Sequence, residues 1–138
     1  MTDYFSLHLP KDDISAVSSV ALAHMGDAVY EILVRGYLCA HGRATGKGLH
    51  RATIELVCAG AQAERAERIL PLLTEEETAV FNRGRNAHVH TMSHSATPAE
   101  YRRATALEAL FGWLYLQGQT ERINALFCRM MEGEDDGV

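Results

Sequence analysis

Two carboxylates stand where a helix normally turns apolar side chains inward. Asp27 lies within Ala21-Leu22-Ala23-His24-Met25-Gly26-Asp27-Ala28-Val29-Tyr30-Glu31, and Glu108 within Ala104-Thr105-Ala106-Leu107-Glu108-Ala109-Leu110-Phe111-Gly112-Trp113. Both segments read as core helices, and an ionised carboxylate there costs several kcal/mol unless a positive or hydrogen-bonding group meets it. Gly26 adjoins Asp27, and Gly112 lies one turn beyond Glu108. Glycine inside a helix costs roughly 0.5–1 kcal/mol relative to alanine, and what it permits is the close approach of another backbone. The expectation is that the two helices cross at their glycines and bring Asp27 and Glu108 together. Carboxylates that near each other repel unless one is protonated or a cation sits between them. Magnesium, which prefers oxygen ligands and keeps several waters, suits such a pair. The alternative is structural: Asp27 caps a helix or bridges to an arginine, and Glu108 is buried as a neutral acid.

Other metal and nucleotide chemistries lack their residues. The chain has no Glu-x-x-His pair of the kind used by di-iron bundles. It has neither a His-Glu-x-x-His helix nor a Gly-x-x-x-x-Gly-Lys-Ser/Thr phosphate loop. Cys39, Cys58 and Cys128 make an odd count without paired spacing, so they read as reduced, buried cysteines of a cytosolic protein rather than zinc ligands. His88, His90 and His94 fall in one polar stretch and read as solvated loop residues ahead of a zinc cluster.

The elements that must position the acids are helical throughout. At 138 residues, with 47% hydrophobic and 22% charged residues, the chain is long enough for one globular domain with a real core. No window alternates as a strand would, so the fold class is all-α. Asp12-Asp13 caps a long helix over about Ile14 to Ala40, with a break near its start, and a glycine-rich turn covers His41 to Gly46. A helix runs from about Lys47 towards Cys58, and another from about Ala61 to just before Pro71. Thr74-Glu75-Glu76-Glu77 is a capping box opening a short helix to about Arg83; Gly84 to Ala96 is a basic loop. Thr97-Pro98-Ala99-Glu100 is a second capping box, with proline at the first helical position, and opens a helix to about Leu116. A last helix covers about Glu121 to Met131. No apolar run reaches the roughly 18 residues of a membrane span, and no signal-peptide pattern opens the chain.

Net charge is −5, yet the charge is segregated. Between Thr78 and Arg103 four arginines (Arg83, Arg85, Arg102, Arg103) face Glu100 alone, and Arg35, Arg43, Lys47 and Arg51 form a second basic stretch. The acid gathers at Glu75-Glu76-Glu77 and in the tail from Glu132 to Asp136. A locally basic face on an acidic protein can bind nucleic acid, and it can equally be a solvated surface.

The stretch His24 to Glu31 resembles the signature helix of ribonuclease III catalytic domains, and Ala104 to Leu116 resembles their second metal-binding helix. The similarity is greatest to the Mini-ribonuclease III subfamily, through Phe81-Asn82-Arg83-Gly84-Arg85-Asn86-Ala87 and Glu100-Tyr101-Arg102-Arg103-Ala104-Thr105-Ala106-Leu107-Glu108. It extends from about residue 14 to 131. The resemblance implies a ribonuclease III-like helical endonuclease domain over 14–131, flanked by an N-terminal arm (1–13) and an acidic tail (132–138). It also implies a homodimer in the cytoplasm, without membrane attachment. The implied activity is magnesium-dependent cleavage of double-stranded RNA, with manganese able to substitute, and the implied substrate is the stem of the 23S ribosomal RNA precursor.

Residue by residue, the resemblance makes Asp27 and Glu108 the catalytic metal ligands. Arg83, Arg85, Asn86, Arg102, Arg103 and Lys47 would be RNA contacts, with one of Arg102 and Arg103 left to neutralise a neighbouring carboxylate. Glu31 is either an outer-shell group or a salt-bridge partner. Thr105 either binds a metal-held water or hydrogen-bonds back along its own helix, and back-bonding is preferred. Full-length ribonuclease III proteins carry a glutamate at the position of Ala23 and an aspartate at that of Thr105, so water and RNA phosphate must supply more of the ligands here. Those two positions also motivate the rival reading, a catalytically inactive double-stranded-RNA-binding module on the same fold. Tyr30, Phe111, Trp113 and Tyr115 divide between core and dimer interface.

Overall fold

The computed structural model describes residues 1–42, 46–87 and 96–133, with Lys47 described in its backbone only. Residues 43–45 of the glycine-rich turn, the loop histidines His88, His90 and His94, and the end of the acidic tail lie outside the described residues. Among those described, every regular element is a helix: α1 (Lys11–Ser15), α2 (Ser19–Ala40), α3 (Gly46–Val57), α4 (Ala59–Ala66), α5 (Glu75–Arg85), α6 (Pro98–Leu116) and α7 (Thr120–Met130), with one 3-10 turn at Leu70–Leu72.

The chain stops and restarts where cap chemistry outweighs helical periodicity. The break expected near the start of the helix from Ile14 falls between Ser15 and Ser19, where Ser18 acts as an N-cap and its hydroxyl accepts from the Ala21 N–H at 3.1 Å. Asp12 and Asp13 lie inside the first turn of α1 instead of capping it, where their charge opposes the positive helix end. Both capping boxes form as expected, at Thr74–Glu77 and at Thr97–Glu100. Helix α5 runs on to Arg85, so Gly84 and Arg85 are helical where a loop was expected. Glu77 has a second role: its carboxylate accepts from Arg122 at 2.8 and 2.9 Å, joining the start of α5 to α7. The Arg122 hydrogen bond holds that buried carboxyl below its ordinary range against the opposing effect of burial.

Helix α6 is the axis. It packs most extensively on α2, then on α5 and α4. Nearly all its residues from Ala104 to Leu116 are buried, which suits a helix apolar all round. Tyr30, Val34 and Leu38 from α2 meet Leu107, Leu110, Phe111 and Leu114, with Leu126 and Met130 of α7 closing the core. Tyr30 and Phe111 are fully buried, whereas Trp113 and Tyr115 are half-buried at the edge of the core. The first ten residues run beside α6: the Leu9 N–H donates to Leu116 O at 2.8 Å, and the Tyr115 hydroxyl donates to Phe5 O at 2.6 Å.

The α2–α6 crossing is made by its two glycines. A Cβ on Gly26 would stand 1.6 Å from the Glu108 carbonyl oxygen, and one on Gly112 would stand 2.0 Å from that of Leu22. Both obstacles are backbone and cannot swing aside. The three cysteines depart from expectation: all are free but exposed, Cys39 and Cys128 on helix surfaces and Cys58 at the N-cap of α4. For Gly112→Ala we expect a loss of at least about 1–3 kcal/mol, the usual range for overpacking a core. Urea denaturation of the variant measures it; unchanged stability would disprove the contact.

Candidate active site

The backbone crossing puts Asp27 and Glu108 on one cleft of about 460 Å³. Its walls are α2 (Val20, Ala23, His24, Asp27), the α3–α4 junction (Val57, Cys58, Ala59, Gln62) and α6 (Tyr101, Ala104, Thr105, Glu108). Spacing explains the contributions of α2 and α6: residues 20, 23, 24 and 27, and residues 101, 104, 105 and 108, each recur at one helical turn.

The two acids have different surroundings. Asp27 is exposed, contrary to its reading as an inward-facing core residue, because α2 buries one stripe only and Asp27 lies on the stripe facing the cleft. Glu108 is half-buried. Burial, and then the hydrogen bond and charge of the Asp27 carboxyl, push Glu108 up to about 9, while the Gln62 side chain acts weakly the other way. At neutral pH and without a cation, Glu108 is therefore a carboxylic acid.

The other expected residues divide. Thr105 is buried, and its hydroxyl donates to Tyr101 O at 3.0 Å, the back-bonding that was preferred. Glu31 accepts from Arg35 at 2.6 Å, one turn along α2. Arg103 pairs with Glu67, the C-cap of α4, the carboxylate-neutralising role foreseen for one of the two arginines, and Arg102 is exposed. Arg83 and Arg85 are exposed in the last turn of α5, with Asn86 as its C-cap. Among the described side chains, none of the arginine candidates lines the cleft. The α5 end packs closely on α6, where a Cβ on Gly84 would stand 2.8 Å from Ala109 Cβ and 3.5 Å from Thr105 O.

Gln62, His24 and Tyr101 belong to the cleft and were not singled out from the sequence. His24 and Tyr101 could have been found, one turn before Asp27 and two before Glu108. Gln62 gave no local signal, since only the packing of α4 on α6 carries it there. It is 3% exposed, its amide nitrogen donates to Val57 O at 2.8 Å, and its Oε1 has no hydrogen-bond partner.

This arrangement fits a divalent cation. It offers two carboxyl groups that repel each other and a third, orphaned oxygen on the same cleft, a hard-oxygen donor set of the kind magnesium takes. Among the described residues no group of three His, Cys, Asp or Glu side chains could hold an ion, so a cation must draw further ligands from other groups.

An all-helical domain with an acid pair at a helix crossing matches a known class. The Ribonuclease III domain family matches residues 20–119, and the chain belongs to that family, as an endoribonuclease. It is 41% identical to Mini-ribonuclease 3 of Enterococcus faecalis over 126 residues, covering 88% of this chain and 96% of that one. It is 47% identical to Mini-ribonuclease 3 of Symbiobacterium thermophilum over 105 residues, covering 76% and 81%. A crystal structure of a Fusobacterium nucleatum protein superposes with a TM-score of 0.79 at 33% identity, covering 88% of this chain and 98% of that one.

The raised Glu108 has a consequence for stability. A carboxyl group whose folded value lies above its unfolded one holds more protons in the folded state, so folding weakens as pH rises between the two. The window runs from the ordinary 4.5 to about 9. In EDTA the melting temperature should fall across it, and Glu108→Gln should flatten the decline. An identical pH slope in wild type and variant would contradict the raised acid.

Proposed function

We propose that Asp27 and Glu108 are the catalytic residues of a magnesium-dependent endoribonuclease, with manganese able to substitute, which cleaves double-stranded RNA. The single observation carrying this reading is the shared cleft in which Glu108 is pushed up to about 9 beside Asp27. A bound cation would lower the pKa of water and neutralise charge developing on the phosphate. The protein's part is to hold two carboxyl oxygens on rigid helices. Glu108 must give up its proton for the site to load, so loading should release a proton near neutral pH.

The stem of the 23S ribosomal RNA precursor is the substrate we propose, in the cytoplasm. One catalytic unit, residues 14–131, would supply one cleft, and a two-fold homodimer would supply one for each strand. A separate apolar groove of about 280 Å³ supports that dimer. It is lined by Phe5, Met25, Ile32, Leu33 and Tyr115 among others, and Ile32 is 56% exposed. Among the described residues no helix is long and apolar enough to cross a membrane. Arg83, Arg85, Asn86, Arg102 and Lys47 would contact phosphates and 2′-hydroxyls, the features by which duplex RNA is mainly read. The inactive-module alternative is disfavoured, because a binding surface needs no acid pair forced together.

Asp27→Asn should abolish cleavage of duplex RNA in magnesium while the circular dichroism spectrum and duplex binding persist. Wild-type turnover in that variant would place the metal elsewhere. Arg85→Ala should weaken duplex binding and lower the slope of log affinity against log salt by just under one unit. An unaltered slope would remove Arg85 from the phosphate contacts.

A further inference from the structure

Gln62 has a side-chain oxygen that is buried and has no hydrogen-bond partner. Its amide nitrogen donates to Val57 O at 2.8 Å, and this bond sets which end of the amide is which. The orientation leaves Oε1 buried without a donor, on a side chain that lines the same cleft as Asp27 and Glu108. Native proteins rarely leave a buried acceptor unpaired, and an exception at a site commonly marks the place of an ion or ligand. An apolar side chain of similar size would give up the bond to Val57 O but would leave no buried acceptor unpaired on the cleft.

The site also needs oxygen. Ala23 and Thr105 supply no carboxylate, and the Thr105 hydroxyl is engaged with Tyr101 O at 3.0 Å. An amide oxygen is a good donor to a hard divalent cation and adds no negative charge. A third carboxylate would add to the repulsion between Asp27 and Glu108 whenever the cation is absent.

We infer that Gln62, through Oε1, is a further oxygen donor to the divalent cation held by Asp27 and Glu108, locked in place by its bond to Val57. The inference rests on the metal-site reading above. Binding of manganese to the full chain without RNA, followed by electron paramagnetic resonance, tests it separately from turnover. Gln62→Met removes the oxygen at similar length and should weaken manganese binding about tenfold, the lower end of what losing a supporting group at a metal site does. Gln62→Glu keeps an oxygen and adds charge, so it should bind manganese more tightly than wild type at pH 8. A role in packing alone predicts lowered melting temperatures in both variants and no such opposite shifts. Manganese affinities within twofold of wild type in both would overturn the role of Gln62 and leave the acid pair standing. No manganese bound by wild-type protein would overturn both readings. Should either variant not fold, anomalous density in a manganese-soaked wild-type crystal decides. Manganese bonded to the Gln62 oxygen supports the inference, and manganese on the acids with that oxygen unligated refutes it.

Discussion

The absence of two side chains, at Gly26 and Gly112, sets the distance between α2 and α6. With a Cβ at either position, one helix would have to enter the backbone of the other, at 1.6 Å and 2.0 Å. Without them the backbones touch, and the residues next to the contact are committed to each other. Asp27 follows Gly26, and the carbonyl that Gly26 meets is that of Glu108 itself. The same contact that closes the core therefore joins the acids, and neither can be relaxed alone. Gly84 repeats the device on another face of α6, where it seats the arginine-bearing end of α5 beside Ala109 and Thr105.

Glu77 and Glu108 show how surroundings divide one residue type into two chemistries. Both are removed from much of the solvent. Glu77 meets a guanidinium and accepts from the Thr74 N–H at 2.9 Å, and its carboxyl, held below its ordinary range, ties α5 to α7. Glu108 meets another carboxyl, and its affinity for the proton rises to about 9. Glu77 needs nothing further. Glu108 is stable only as an acid or beside a cation, which makes it a poor structural element and a good ligand. A buried arginine near Glu108 would have satisfied the charge and removed the site.

The sequence was most legible where the signal is local. Both capping boxes, the end of α6 at Leu116 and the glycine crossing follow from residues within a turn or two of each other. The break near the start of the first long helix was expected, but its exact place depends on the Ser18 hydroxyl, which diverts the backbone while an apolar periodicity continues across it. The cysteines were read as buried from apolar neighbours in sequence, but neighbours in sequence point to other faces of a helix. Gln62 was the least legible. Nothing around it in sequence suggests chemistry, and its place opposite Glu108 depends on how α4 lies across α6.

Helix packing also separates two tasks that the sequence places side by side. Arg102 and Arg103 stand within two turns of Glu108 on one helix, yet neither lines the cleft, because successive residues on a helix point about 100° apart. Arg103 turns to Glu67, which fastens α6 to α4 and holds the wall that carries Gln62. Arg83 and Arg85 end a different helix and remain exposed. Among the described residues these arginines thus stay out of the cleft, where a guanidinium would pair with the acids, while the contact at Gly84 fixes the arginine-bearing end of α5 on α6. A chain with a net charge of −5 can in this way keep exposed arginines on its surface while its cleft stays acidic.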